Sequence, residues 1–360
     1  MTRAFISDCE GPISKNDNAL EIMSRFVPNG DKIFAVTSRY DDALADILKR
    51  AGYKAGDTLK LVLPFLKAYD VTDRKIREYC AKNLILITNA KESMHHILGI
   101  APTYIVSTSY EHYIKALCRK LEFPFENTYC TRLNLDQYGM DAKEKAQVKK
   151  LAQLIAEMPI FEVPSDAKSL KELPESVQST IEELDDIFWE QIAEMSIGTL
   201  YSEINPVGGF EKADAVAEIA KKTRIALSDI MYVGDSITDE EAFKLVKEND
   251  GLTVSFNGNW YAVSNSEIAL ISYDGLATAI IADVFIRCGK DKTKDLVAKW
   301  SLQTICESSA DPSLIHRFLK AHVRDLPKAK IITTENMQEL AEESSKFRKK
   351  VRGIVAGELG

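Results

Sequence analysis

Five histidines, three tryptophans and six cysteines among 360 residues leave this chain short of the residues that build several common kinds of site. The cysteines (Cys9, Cys80, Cys118, Cys130, Cys288, Cys306) form no C-x-x-C pair and share no zinc-ligand spacing with histidine, so a structural zinc site is excluded and free thiols in a reducing cytosol are expected. His95, His96 and His112 likewise read as structural or surface residues. No G-x-x-x-x-G-K loop occurs, which excludes a P-loop nucleotide triphosphatase. Internal repeats, low-complexity tracts and an N-terminal charged-then-apolar segment are all missing. The most apolar stretch, 268–286, is broken by Asp274, Gly275 and Asp283, so it reads as a buried strand and a core helix rather than a membrane span. Positive charge is also in deficit: a net charge of −8 argues against nucleic acid as the main partner, because such binding rests on phosphate neutralisation.

What is present is an ordinary globular composition, 45% hydrophobic and 28% charged, in a chain long enough for two domains or for one domain with large insertions. The run AFISD reads as a buried strand ending at Asp8. Helical spacing follows, as in Leu20, Met23 and Phe26, then Ala43, Ile47, Leu48 and Ala51 before the stop at Gly52. A short apolar run at 84–87, a helix near 91–98, a strand at 103–106 and a helix opening after Ser107 come next. TYCTRLNLD at 128–136 is strand-like. Two amphipathic helices are expected between 142 and 198, joined by a Pro- and Ser-containing stretch. The alternation then resumes with a helix over 211–223, a strand ending at Asp235, a helix over 240–247 and a strand over 252–257. The segment 290–360 reads as mostly helical. Within it, KFRKKVR at 346–352 reads as the solvated face of a terminal helix, with an anion-binding or partner-docking patch as the alternative. Strands alternating with helices point to an open parallel sheet.

Chemistry-bearing residues fall at the ends of these strands or at helix starts, where an open α/β sheet places its ligand crevice. DCEGP sets Asp8 and Glu10 after the first strand. Ser107, Thr108 and Ser109 follow the strand YIV. Lys212 follows Gly208 and Gly209, and VGDSITDEE carries Asp235 and Asp239. A carboxylate can attack phosphorus if positive charge first offsets the phosphate's own, and magnesium held by carboxylates together with a lysine supplies that charge. Hydroxyls and backbone N–H groups hold the phosphoryl oxygens, and a second carboxylate can move protons. Each piece alone has a plainer reading: Gly-Pro as a turn, Asp235 and Asp239 as helix caps, Lys212 as a surface lysine, Ser107 as an N-cap.

In the order DCEGP, IVSTS, GGFEKADAV and MYVGDSITDEEAF, the chain resembles the four motifs of the haloacid dehalogenase-like phosphatases. TYCTRLNLD and GLTVSFNGN resemble the phosphoserine phosphatase branch. The resemblance covers about half the chain. It implies an α/β fold, a doubly wound, mostly parallel Rossmann-like core with a helical cap insertion and further helical segments. The core would comprise 1–14, 81–141 and 199–287, the cap 15–80, a second helical insertion 142–198 and a helical extension 288–360. By the same resemblance Asp8 is nucleophile and metal ligand, Glu10 the general acid/base and, through its backbone carbonyl, a ligand. Ser107 and Lys212 are the second- and third-motif catalytic residues, Thr108 and Ser109 bind substrate, Asp235 is a metal ligand and Asp239 a further metal-shell acid. The family ordinarily has aspartate where Glu10 stands, although some relatives with phosphotransferase activity carry Asp-x-Glu-Gly. Arg39, near the middle of the cap, is either a surface residue or a reader of a substrate carboxylate.

The implied function is a cytoplasmic, magnesium-dependent phosphohydrolase that cleaves a small phosphorylated metabolite through an aspartyl-phosphate. Two alternatives remain open. One is a phosphotransferase of the same family. The other is a non-catalytic subunit or scaffold, since the whole chain also resembles a group of archaeal proteins, some labelled as a subunit of an energy-converting hydrogenase. In the latter case the 142–198 insertion or the basic tail would dock a larger complex, and a homodimer is the other expected assembly. A receiver domain fits less well, because its phosphorylated aspartate comes from a middle strand.

Overall fold

The computed structural model describes residues 2–50, 52–162 and 169–353. Ala51, the 163–168 part of the connection between the two expected amphipathic helices and the 354–360 end of the expected extension lie outside the described residues.

Seven strands form one sheet: β1 (Ala4–Ser7), β2 (Thr103–Tyr110), β3 (Thr128–Thr131), β4 (Ile230–Gly234), β5 (Leu252–Phe256), β6 (Ile268–Ile271) and β7 (Lys328–Ile331). Their order is β3-β2-β1-β4-β5-β6-β7, with β1 to β6 parallel and β7 antiparallel to β6. Helices cover both faces. Phe5 of β1 joins one apolar cluster, while Ala4 and Ile6 join the other. This period-two split with burial on both sides is why AFIS and IMYVG are continuously apolar rather than alternating. The fold is therefore the expected doubly wound α/β core.

The chain leaves β1 for β2 on one side and returns past β1 to β4 on the other, so the strand order reverses between β1 and β4. At such a switch point the carboxyl ends of adjacent strands diverge and leave a crevice.

Three elements depart from expectation. The strand-like run 128–136 is extended only over Thr128–Thr131 and closes in a 3-10 turn at Leu135–Gln137. β2 does not give way to a helix after Ser107; it continues to Tyr110, with an irregularity in its pairing to β3 between Ser107 and Tyr110, and the helix begins at Glu111. The local kink frees Thr108 and Ser109 from regular pairing, while Ser107 still pairs with Cys130. β7 was not expected at all in the mostly helical segment. It is four residues long, and only its alternation of lysines with Ala329 and Ile331 marked it as an edge strand.

Between β1 and β2 lie the helices Asn18–Phe26, Gly30–Asp42, Leu63–Ala68 and Asp73–Asn83, and between β3 and β4 lie Ala142–Glu157 and Glu175–Asp185. These two helical insertions pack on each other: Ala142–Glu157 lies against Gly30–Asp42 and Leu63–Ala68. Phe188 of the second stacks on Tyr40 of the first at 5.6 Å and meets Phe65 edge-on at 6.0 Å. Trp189 Nε1 donates to Tyr40 Oη at 2.9 Å, and Tyr40 donates to Asp185. All six cysteines are free thiols, as expected. Among the described residues no helix is long and apolar enough to cross a membrane.

Because Phe188, Tyr40 and Phe65 are all fully buried, Phe188→Ala is expected to cost about 3–5 kcal/mol of stability, read from urea denaturation. A loss below about 1 kcal/mol would mean that the insertions do not share a core.

Candidate functional site

Asp8 is the first residue beyond β1, and its backbone N–H still donates to Val233 O of β4 at 2.8 Å. One carboxylate oxygen accepts from the Cys9 N–H at 2.7 Å, and the other lies 3.1 Å from Lys212 Nζ. The chain then turns through Gly11 at φ +104°, where an added Cβ would sit 2.2 Å from Asp235 Oδ2. Only glycine fits a backbone in that conformation so close to a carboxylate. The G-P signal in DCEGP thus marks more than a turn: it lets the loop after β1 lie against the loop after β4.

Lys212 is fully buried two residues into the Phe210–Thr223 helix, and its ammonium bridges Asp8 and Asp239, the latter at 2.7 Å. Burial pushes the lysine pKa down, but Asp239 and Asp8 together outweigh it and hold the pKa above its ordinary value, so the charge is kept. Asp239 Oδ1 also accepts from Tyr232 Oη at 2.7 Å, while Oδ2 accepts from the N–H groups of Asp235 and Ser236 at 2.9 and 3.1 Å. Both its oxygens are engaged by protein donors, and it sits behind the cleft wall rather than on it.

A cavity of about 100 Å³ opens where these strand ends meet, lined by Asp8, Glu10, Asp235 and the Ser107-Thr108-Ser109 run. Ser107 Oγ accepts from the Ser109 N–H and donates to Ser109 Oγ, both at 3.2 Å. Thr108 Oγ1 is buried without a protein partner. Glu10 Oε1 accepts from the Asn18 N–H at 2.8 Å, at the start of the Asn18–Phe26 helix. Here the extra methylene of glutamate has a structural use, carrying the carboxylate to that helix N-terminus. Burial drives the Asp8 carboxyl up to about 7, opposed by Lys212, and the Glu10 carboxyl up to about 8, with Asp17 adding to the rise.

The wall opposite comes from the first helical insertion, including Phe34, Ser38, Asp41, Thr58 and Leu59. Arg39 is not part of it; its guanidinium is 3.3 Å from Asp42 and 3.7 Å from Glu162. The histidines do structural work, as expected: His95 meets Leu121 O, His96 meets Asp283 and His112 meets Asp73.

KFRKKVR corrects its first reading. It does end a helix, Met337–Arg352, but Arg348 is only 2% exposed and both arginines line the cavity. Arg348 Nη1 is 2.8 Å from Asp235 Oδ2, and Arg352 Nη1 is 3.2 Å from the same oxygen. The sequence held a signal for this: Ala341, Ser344, Arg348 and Val351 are spaced as one buried helical face, and Arg352 follows Arg348 by four residues. High local charge masked the pattern. Asp17 and Asn18, which shape the surroundings of Glu10, were also missed.

Six carboxylates line the cavity (Asp8, Glu10, Asp17, Asp41, Asp42, Asp235) against two guanidiniums. Oxygens of Asp8, Asp235 and Asp239 lie within 4.8 Å of one another. An all-oxygen set rich in carboxyl groups is the donor chemistry that suits magnesium. The residues fit that ion.

The chain belongs to the haloacid dehalogenase-like hydrolase family, whose model matches residues 14–271. That span holds Ser107, Lys212, Asp235 and Asp239 and begins just after Asp8 and Glu10. The structure of the Archaeoglobus fulgidus gene product AF1437 is similar over 100% of this chain and 99% of its own, with 24% identity and a TM-score of 0.81, a likeness of fold. A phosphoserine phosphatase captured as a phospho-aspartyl intermediate analogue, and another in complex with substrate, each match 76% of this chain and 95% of their own at 14% identity and TM-score 0.47, too distant to carry a conclusion about chemistry. No curated protein is matched by the sequence.

Gly11→Ala is expected to cost at least about 1–3 kcal/mol through backbone strain, with further loss from the clash on Asp235, measurable by thermal denaturation. Asp41 tests the electrostatics of the opposite wall. It accepts from Tyr53 Oη at 2.5 Å and the Gly56 N–H at 2.9 Å, yet burial raises its pKa from 3.8 to about 7. The folded state therefore holds this proton more tightly than the unfolded chain. The resulting stability is present in full below about pH 4 and is lost as pH rises to about 7. Stability of wild type relative to Asp41→Asn should fall across that window in urea titrations; a flat difference would contradict the assignment.

Proposed function

We propose that this chain is a magnesium-dependent phosphohydrolase that cleaves a small phosphate monoester through an aspartyl-phosphate on Asp8. The observation that carries the reading is the Asp8 carboxylate at the end of β1, held 3.1 Å from a fully buried lysine and sharing one small cavity with three consecutive hydroxyl residues and Asp235. A carboxylate placed so is an oxygen nucleophile beside a fixed positive charge.

In this mechanism an Asp8 oxygen attacks phosphorus, the bond from phosphorus to the substrate's ester oxygen breaks, and Glu10 gives its proton to the departing oxygen. A Glu10 carboxyl raised to about 8 holds that proton at neutral pH. Glu10, now a carboxylate, then takes a proton from water as the water oxygen attacks phosphorus, releasing phosphate and regenerating Asp8. Ser107 and the unpartnered Thr108 hydroxyl, with Ser109, hold phosphoryl oxygens. Lys212 offsets their charge, and Asp239 fixes Lys212 in place and orders the loop after β4. Asp8, Asp235 and the Glu10 carbonyl would hold magnesium, which would supply further positive charge to the phosphoryl oxygens. Thr58, Leu59 and the Gly30–Asp42 helix act as the cap that excludes bulk water and limits substrate size.

With magnesium, the purified protein is expected to hydrolyse an aryl phosphate, and Asp8→Asn to lower kcat by at least about a thousandfold. Acid quench should trap a hydroxylamine-sensitive phosphoenzyme in the wild type only. If a panel of phosphate monoesters that includes phosphoserine gives neither turnover nor phosphoenzyme, the scaffold reading replaces this one.

A further inference from the structure

The two arginines on Asp235 have no part in that mechanism. We propose that the last turn of the Met337–Arg352 helix is an intramolecular competitor for the cation: Arg348 and Arg352 occupy Asp235, and a divalent ion binds there only as they withdraw. The proposal rests on the preceding reading in one respect, that Asp235 is a cation ligand.

The geometry separates this role from that of a phosphate clamp. All three guanidinium nitrogens of Arg352 donate to protein oxygens: Nη1 to Asp235 Oδ2 at 3.2 Å, Nη2 to Asn16 O at 2.7 Å and Nε to Lys15 O at 3.3 Å. Arg348 Nη1 reaches both Asp235 Oδ2 at 2.8 Å and the Asp235 carbonyl at 2.6 Å. Arg352 is thus spent on the very aspartate that faces the acidic cluster and on the backbone after β1, and Arg348 Nη1 is committed to the same aspartate. With both guanidiniums on Asp235 Oδ2, only Oδ1 is left to a divalent cation, which would there stand within a few ångströms of two like charges in a site with little water to screen them.

The rest of the helix is seated independently. Leu340 and Ala341 pack with Val263 and Ala269, and the Phe347 ring lies 4.2 Å from that of Tyr273. Arg348 directly follows Phe347, and Val351 packs into the main core between the two arginines, so withdrawal of the guanidiniums lifts the last turn with Val351 while the Leu340 and Ala341 contacts hold. Lys346 and Lys350 already face solvent there, and water is a ready alternative partner for a released guanidinium. Buried guanidiniums and the carboxylate they face each need a counter-charge, so the exchange of one cation for another at Asp235 is the step that sets the last turn free.

The test uses the full chain and Mn2+ as probe. Binding is measured by calorimetry or electron paramagnetic resonance for the wild type and for the Arg348→Gln/Arg352→Gln double variant. The variant should bind Mn2+ at least about tenfold more tightly, because its Asp235 is left buried without a counter-charge. In the wild type, saturating Mn2+ should raise hydrogen–deuterium exchange in the last turn of the helix while leaving the segment around Leu340 unchanged. Equal or weaker binding by the variant overturns the competition but leaves the phosphatase reading in place. Failure of both proteins to bind Mn2+ overturns the competition and the metal part of that reading together. Should the double variant not fold, the wild-type exchange measurement decides alone: no rise with bound Mn2+ overturns the proposal.

Discussion

A lysine ammonium sealed from water and held between two carboxylates organises this molecule. Moving a charge of that kind out of solvent costs several kcal/mol unless oxygens of opposite charge meet it closely, and Lys212 is met by Asp8 on one side and Asp239 on the other. Those acids belong to the ends of β1 and of the segment after β4, while the lysine belongs to the helix before β4. The ion network therefore fixes how three separated pieces of chain approach one another, and it does so at the point where the strand order reverses. Tyr232 reaches the network from within β4, linking it to the sheet itself. Burial nonetheless raises Asp8, Glu10 and Asp41 well above ordinary carboxyl values. The site is built with more acidic groups than cations to meet them.

Two consequences of that imbalance meet at Asp235. Its Oδ2 is approached from one side by the glycine that has no side chain to collide with it and from the other by two arginines from the end of the described chain. The contact spans more than a hundred residues of sequence, and it ties the last helix to the first loop, since Arg352 also holds the carbonyls of Lys15 and Asn16. The same helix is thus part of the fold and part of the site.

The elements that were legible in the sequence are those whose environment is simple. β1 and β4 are buried on both faces, so they read as apolar runs, and the acids after them fell where strand ends leave a crevice. Glu10 was legible as a residue, though its use of the Asn18 N–H depends on how the next helix enters. Ser107 to Ser109 were found, but a helix was expected in place of extended chain because a strand irregularity has no residue signature of its own. Arg348 and Arg352 were passed over because each sits among lysines that do face solvent: five cations in seven residues read as a surface, and only the i, i+4 spacing on the face shared with Ser344 and Ala341 told otherwise. β7 failed because Lys328 and Lys330 interrupt the apolar run by which the equally short β1 was recognised.

The aromatic contact of Phe188 with Tyr40 and Phe65 bears on mechanics. A roof formed by one insertion would hang from the sheet by two chain crossings and could swing about either. Here the helices above the cavity are bolted to a second insertion that leaves the sheet elsewhere, after β3, and re-enters before β4. Four crossings in two separate places constrain a rigid body far more than two, so twisting is suppressed and any lifting is confined to the axis that the paired attachments share.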